Sequence, residues 1–220
     1  MNKKNLILMP IAALYFLFLY LDLTGPGTYS TLSCALKYAA VILCLANALM
    51  TGRESLEKKD AAFLKAAMFV TVSADYFLLF TDLYTAGIIL FCAVQLIYIA
   101  RHSRYAESNA RIYLGAGSAF MAAACLTVVS SGTSGKIMVL SGCLYAFLTV
   151  CSLHTAYRAY KSNRYPAKNA ALINAGLWLL MLCDINIFFS FAVTSNSISP
   201  YLEWLFYLPS QLMLSFSARK

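Results

Sequence analysis

Long apolar runs alternate with short polar ones along the whole chain. Eight apolar runs succeed one another, at 6–23, 31–50, 61–80, 83–100, 112–129, 136–157, 170–193 and 201–216. Each holds roughly 16–24 residues, about what a helix needs to cross the hydrocarbon core of a bilayer. Transmembrane strands would be about half as long and would alternate in polarity, so a barrel is excluded. The pattern predicts an all-α polytopic membrane protein: a single transmembrane domain, 1–220, built as a bundle of eight transmembrane helices. Lys3 and Lys4 give the first run the look of a signal peptide. Thr24-Gly25-Pro26-Gly27 follows it as a turn rather than a small-residue cleavage site, so a retained helix is expected. Thr81-Asp82 is short enough to force a tight turn, which returns the fourth helix beside the third.

Polar residues inside the apolar runs are few and therefore informative. Asp75 lies in the third run and Asp184 in the seventh, where a charge at the bilayer centre costs about 3 kcal/mol or more. Such residues face a polar interior and are functional candidates. Lys37 lies in the second run, Gln95 in the fourth, Tyr145 in the sixth, and Tyr207 and Gln211 in the eighth. At about 1.5 Å per residue, Lys37, Asp75, Tyr145 and Asp184 fall about 8–14 Å below one membrane face, with Gln95 and Gln211 deeper. Shared depth leads us to expect one cavity lined by Lys37, Asp75, Tyr145, Asp184 and Gln211. Lys37 either snorkels to the headgroups or pairs with an intramembrane carboxylate. Asp22, at the far end of the first run, is expected to be solvated in the interface. Split into halves, the chain has aspartates on the third helix of each half and glutamines on the fourth, which admits a 4+4 parallel internal repeat.

Composition narrows the class. Hydrophobic residues make up 61% and charged residues 12%, which does not suit a soluble domain. The net charge of +8 sits in short clusters between the runs. Fifteen of the seventeen Lys and Arg residues fall on one side, all but Lys37 and Lys136. The positive-inside rule then puts both termini in the cytoplasm, the basic loops meeting anionic membrane lipids; a bacterial cytoplasmic membrane is the expected location. No basic stripe with interleaved aromatics exists, so nucleic acid is not an expected partner. The seven cysteines lie in apolar runs with no CxxC pair and read as packing residues. His102 and His154 lie near the cytoplasmic ends as interfacial or loop residues and form no HExxH pattern, so no metal or other cofactor is expected. No GxSxG elbow occurs either. What remains is a pair of carboxylates, which do acid and base chemistry when their environments differ.

Read in order, these residues resemble the YhhN family of integral membrane proteins, the lysoplasmalogenases. The likeness runs through Lys37-Tyr38, Ser73-Ala74-Asp75, Val94-Gln95-Leu96-Ile97-Tyr98, Tyr145, Cys183-Asp184 and Tyr207-Leu208-Pro209-Ser210-Gln211. Two departures stand out: Lys37 lacks the proline that often follows it in the family, and Gln95 stands where the family usually has histidine. The resemblance implies a hydrolase that cleaves the vinyl ether bond of a lysophospholipid substrate, giving a fatty aldehyde and a glycerophospho-base. It implies Asp75 and Asp184 as the catalytic acid and base, with Lys37, Gln95, Tyr145, Tyr207 and Gln211 binding substrate. Polar residues at matched depth also describe a non-enzymatic transporter or binding protein for a lipid or small solute, and that reading stays open here.

Overall fold

The structure, a computed structural model, describes residues 3–24, 30–51, 55–105, 117, 119–125, 136–163, 165–192 and 199–220. Among them are eight helices: α1 Lys3–Thr24, α2 Thr31–Leu49, α3 Lys58–Phe80, α4 Tyr84–Ser103, α5 at residues 119–125, α6 Lys136–Lys161, α7 Ala167–Ala192 and α8 Ser199–Phe216. The β-contact among the described residues is a single bridge between Ser55 and Arg219. Most of the fifth run, and the turns expected at 25–27 and 130–135, lie outside the described residues. Six helices are long and apolar enough to cross a membrane, as an integral membrane protein requires.

Local chemistry sets the helix ends. Ser30 caps α2, its hydroxyl oxygen accepting the Ser33 N–H at 3.3 Å. This satisfies one of the donors that a helix start leaves open. Thr81 closes α3 by donating to the Phe77 carbonyl at 2.8 Å and accepting the Leu83 N–H at 3.2 Å. The chain reverses there as expected, and α4 returns against α3. Gly87 makes that return close: a Cβ on it would lie 2.6 Å from the Leu78 side chain and 3.3 Å from the Ala74 carbonyl oxygen.

Helices α2, α3, α4, α6, α7 and α8 form a ring in which each packs on the next and α8 returns to α2. Helix α1 lies outside, against α2 and α8. Helix α8 also touches α3, so it is enclosed by four neighbours. The eighth run forms a helix where expected. It is less apolar than the six helices able by length and composition to cross a membrane, and much of its surface meets other helices. Ser210, Gln211 and Ser215 are buried along it, and Ser217 just past its end.

Two polar clusters tie the ring at its ends. At the basic end, Arg101 Nε and Nη2 each donate to one oxygen of Asp60 at 2.8 Å. Its Nη1 reaches Ser217 at 2.9 Å, and Nη2 also reaches Tyr165 at 3.0 Å. Arg219 donates to the Asn47 carbonyl at 2.8 Å and to Asn47 Oδ1 at 2.6 Å. These contacts gather the last turns of α2, α4 and α8 with the first turns of α3 and α7, so alternate helices run in opposite directions. The sequence places His102 at the interface or in a loop; the structure instead buries it fully, with Arg101, in the last turn of α4. Burial is sustained for Arg101 because its fork is hydrogen-bonded, the condition a buried charge needs. At the opposite end Lys37 Nζ lies 2.9 Å from Asp22 Oδ2, with both side chains fully buried. Ser33 donates to the same carboxylate, and Tyr201 donates to the Asp22 carbonyl at 2.9 Å. Asp22 is therefore not solvated in the interface; α2 and α8 close over it.

Candidate active site

Five members of the ring bring polar groups to one level. Asp75 is on α3, one residue past the Ala74 that faces Gly87. Tyr207 on α8 places its hydroxyl 2.8 and 2.7 Å from the two Asp75 oxygens. On the other side, Tyr145 of α6 donates to Asp184 Oδ2 of α7 at 2.8 Å. Phe91 of α4 bridges the two tyrosines, with ring centroids 5.9 Å from Tyr145 and 6.4 Å from Tyr207. Cys183 lies within electrostatic reach of both Asp75 and Asp184. The carboxyls thus share one cluster, each on a tyrosine from a different helix.

The hydrogen-bond arithmetic at Asp75 matters chemically. A tyrosine hydroxyl has one hydrogen to give and lone pairs to accept with. Tyr207 can donate to one Asp75 oxygen while accepting from the other when that oxygen carries a proton. The pair therefore stays bonded in either protonation state, which suits a group that gives up a proton and takes it back. Asp75 is 4% exposed, whereas Asp184 is only partly buried. Phe188, one turn further along α7 on the same face as Asp184, is 66% exposed.

Gln95 and Thr149 face the Tyr145 hydroxyl, yet neither makes a hydrogen bond of good geometry among the described residues. Both are buried, as is Gln211, one turn beyond Tyr207, whose side-chain oxygen is also without a partner. Thr71, Ser152, His102, Asn174 and Ser210 are further side chains with a buried polar atom that lacks a partner among the described residues. A buried polar group left unpaired costs about 1–3 kcal/mol. Eight together would cost as much as or more than the net stability of a typical domain, roughly 5–15 kcal/mol.

Lys37 is the expected site residue that stands apart. Its partner is Asp22, and its ammonium lies 5.2 Å from the Trp204 ring centre and 5.8 Å from that of Phe18. Trp204 in turn packs edge-on against Tyr207 with centroids 5.2 Å apart. Lys37 thus reaches Asp75 through two aromatic rings rather than directly. Asp75, Asp184, Tyr145, Tyr207 and Gln95 come together, with Gln211 adjacent. Sequence reading missed Phe91 and Trp204; of its two alternatives for Lys37, pairing with an intramembrane carboxylate holds, but it did not find Asp22 as the partner. Trp204, three residues before Tyr207 and so on the same helix face, carried a faint signal; Phe91 is one aromatic among many in apolar runs and carried none.

No group of three or more His, Cys, Asp and Glu side chains suited to a metal occurs among the described residues. His102 is stacked on Tyr98, with centroids 5.9 Å apart and planes 2° from parallel. The family model that matches this sequence is that of the YhhN family, over residues 32–218. No curated protein and no solved structure matches it.

Proposed function

This chain belongs to the YhhN family, and from that premise we propose that it hydrolyses the vinyl ether bond of a lysoplasmalogen-type lysophospholipid, with Asp75 and Asp184 as its catalytic carboxyls. The observation that carries the reading is the convergence of two intramembrane carboxyls, the buried Asp75 of α3 and the partly buried Asp184 of α7, on one cluster with a tyrosine hydroxyl on each.

Vinyl ethers hydrolyse through protonation at the β-carbon, which leaves an oxocarbenium ion on the ether side. One carboxyl donates that proton, and the other, ionised, stabilises the cation and orients a water for attack. Water adds its oxygen to the cationic carbon and loses a proton to the ionised carboxylate, giving a hemiacetal. Collapse of the hemiacetal releases the aldehyde and the glycerol hydroxyl. Tyr207 and Tyr145 hold the carboxyls in place, and the Tyr207 pair remains bonded through the change of protonation. Gln95 cannot carry a proton, so its part is to hydrogen-bond. Lys37, bound to Asp22, acts as a positioning residue, holding Trp204 against Tyr207.

The substrate reaches the site laterally in this reading. A single-chain lipid keeps its headgroup at the interface, and the bonds next to its glycerol lie about 8–14 Å deep, the level of the carboxyls. The partly buried Asp184 and the exposed Phe188 on the same face of α7 support approach from the lipid side. Purified protein incubated with a lysoplasmalogen should release fatty aldehyde, while the saturated alkyl ether analogue should stay intact. Failure to release aldehyde, together with uptake of the same lipid into sealed proteoliposomes, would replace the hydrolase with a transporter.

A further inference from the structure

Two of the ring helices carry polar stripes that begin at the carboxyls and run toward the basic end. On α6 the stripe is Tyr145, Thr149 and Ser152, at spacings of four and three residues. On α4 it is Gln95, Tyr98 and His102, at spacings of three and four. Such spacings put each set on one helix face, and α4 packs directly against α6. Gln95, His102 and Ser152 are fully buried and Thr149 is 5% exposed. His102 and Ser152 find no hydrogen-bond partner for their side-chain polar atoms among the described residues, and Gln95 and Thr149 meet only the Tyr145 hydroxyl, off good geometry. Apolar helices of a membrane protein gain nothing from such groups unless something polar meets them, since lipid offers no hydrogen bonds. The groups present both donors and acceptors and carry no net charge at Gln95, Thr149 or Ser152, which suits water better than an ion.

We infer that a file of bound water runs between α4 and α6, from the buried Arg101–His102 corner at the basic end to Tyr145 and the carboxyl cluster. The stripes are about 10 Å long from first to last residue, enough for three or four waters at hydrogen-bond spacing. Protons move along such a file as readily as water does, so it links the carboxyl cluster to the polar corner at the basic end of the ring. The file rests on the hydrolase reading only for its use, which is to bring the water that the reaction consumes. As a structural feature it stands without that reading.

Hydroxyl-radical footprinting by X-ray radiolysis tests it, because bound water generates radicals beside buried side chains. The probe is water alone, on the purified protein in lipid nanodiscs with no substrate present. Tyr98 and Met68 are 1% and 0% exposed, and the Tyr98 hydroxyl reaches the Met68 sulfur at 4.0 Å. Both should be labelled within about tenfold of the exposed Met50. The Thr149→Val, Ser152→Ala double variant, which keeps side-chain volume nearly constant, should lower labelling of Tyr98 and Tyr145 at least tenfold and leave Met50 unchanged. Labelling of Tyr98 and Met68 more than a hundredfold below Met50 would overturn the file, as would labelling that the double variant leaves untouched. Labelling without aldehyde release would retain the file and remove the hydrolase.

Discussion

Replacing Lys37 by methionine separates two roles that the sequence alone runs together. If Lys37 held substrate phosphate, the variant would fold normally and bind substrate weakly. The structure buries Lys37 completely against Asp22, with Ser33 donating to the same carboxylate and two aromatic rings around the ammonium. Removing the lysine leaves the Asp22 carboxylate buried without its counter-charge. Breaking a buried pair from one side costs about 3–5 kcal/mol, roughly two to three and a half decades in the folded-to-unfolded ratio. Changing both partners, in an Asp22→Asn, Lys37→Met double variant, removes the stranded charge and should restore most of that loss. The measurement is unfolding in mixed detergent micelles across the four members of the cycle, with coupling taken as the departure from additivity. A coupling of 2 kcal/mol or more is expected. Lys37→Met with undiminished stability and weakened substrate binding would refute this assignment and return Lys37 to the substrate.

Three further outcomes follow from the geometry. Asp75→Asn and Asp184→Asn should each lower aldehyde release by about 10²–10⁴-fold, the usual worth of a general acid or base, while the melting temperature changes little; turnover equal to the parent in both would make the carboxyls structural. Gly87→Val should cost about 1–3 kcal/mol by overpacking, because its Cβ meets Leu78 at 2.6 Å and the Ala74 backbone at 3.3 Å, and it should also slow turnover by shifting Asp75; an unchanged thermal midpoint would contradict the close approach. Glu57 accepts from Arg104 and from Tyr105 outside the spans, and these bonds hold its carboxyl below the usual range. Its contribution to stability is therefore present above the unfolded-state value and lost as pH falls through the lowered one, so amide exchange around Tyr105 should rise below about pH 4 and Glu57→Gln should remove that pH dependence.

Runs of apolar residues made the helices legible, because lipid imposes one length and one composition on whatever spans it. The eighth run was legible too, but not that α8 packs against four other helices, with Ser210, Gln211 and Ser215 buried along it. Depth along each helix was readable from residue counts and brought Lys37, Asp75, Tyr145 and Asp184 to one level. Rotation about each axis was not, and rotation is what pairs Asp75 with Tyr207, Asp184 with Tyr145, and Lys37 with Asp22. A 4+4 repeat would equate α2 with α6 and α4 with α8. The observed tyrosines come from α8 for one aspartate and α6 for the other, positions such a repeat does not relate. Asp22 misled because a carboxylate at a helix end ordinarily meets water; here Tyr201 and the first turns of α2 cover it.

The place of α8 in the ring bears on how the protein is made. Helices enter the membrane in chain order, and α8 is the last of the eight. Until it arrives, Asp75 lacks Tyr207, Asn47 lacks Ser215, and Arg101 lacks Ser217. The first seven helices are then an open crescent whose inner polar wall faces lipid. Closing the ring therefore waits for α8, the weakly apolar segment that joins α7 back to α2. A chain stalled or cut before residue 199 exposes intramembrane polar groups, the kind of mark by which membrane quality-control proteases distinguish unfinished proteins from finished ones.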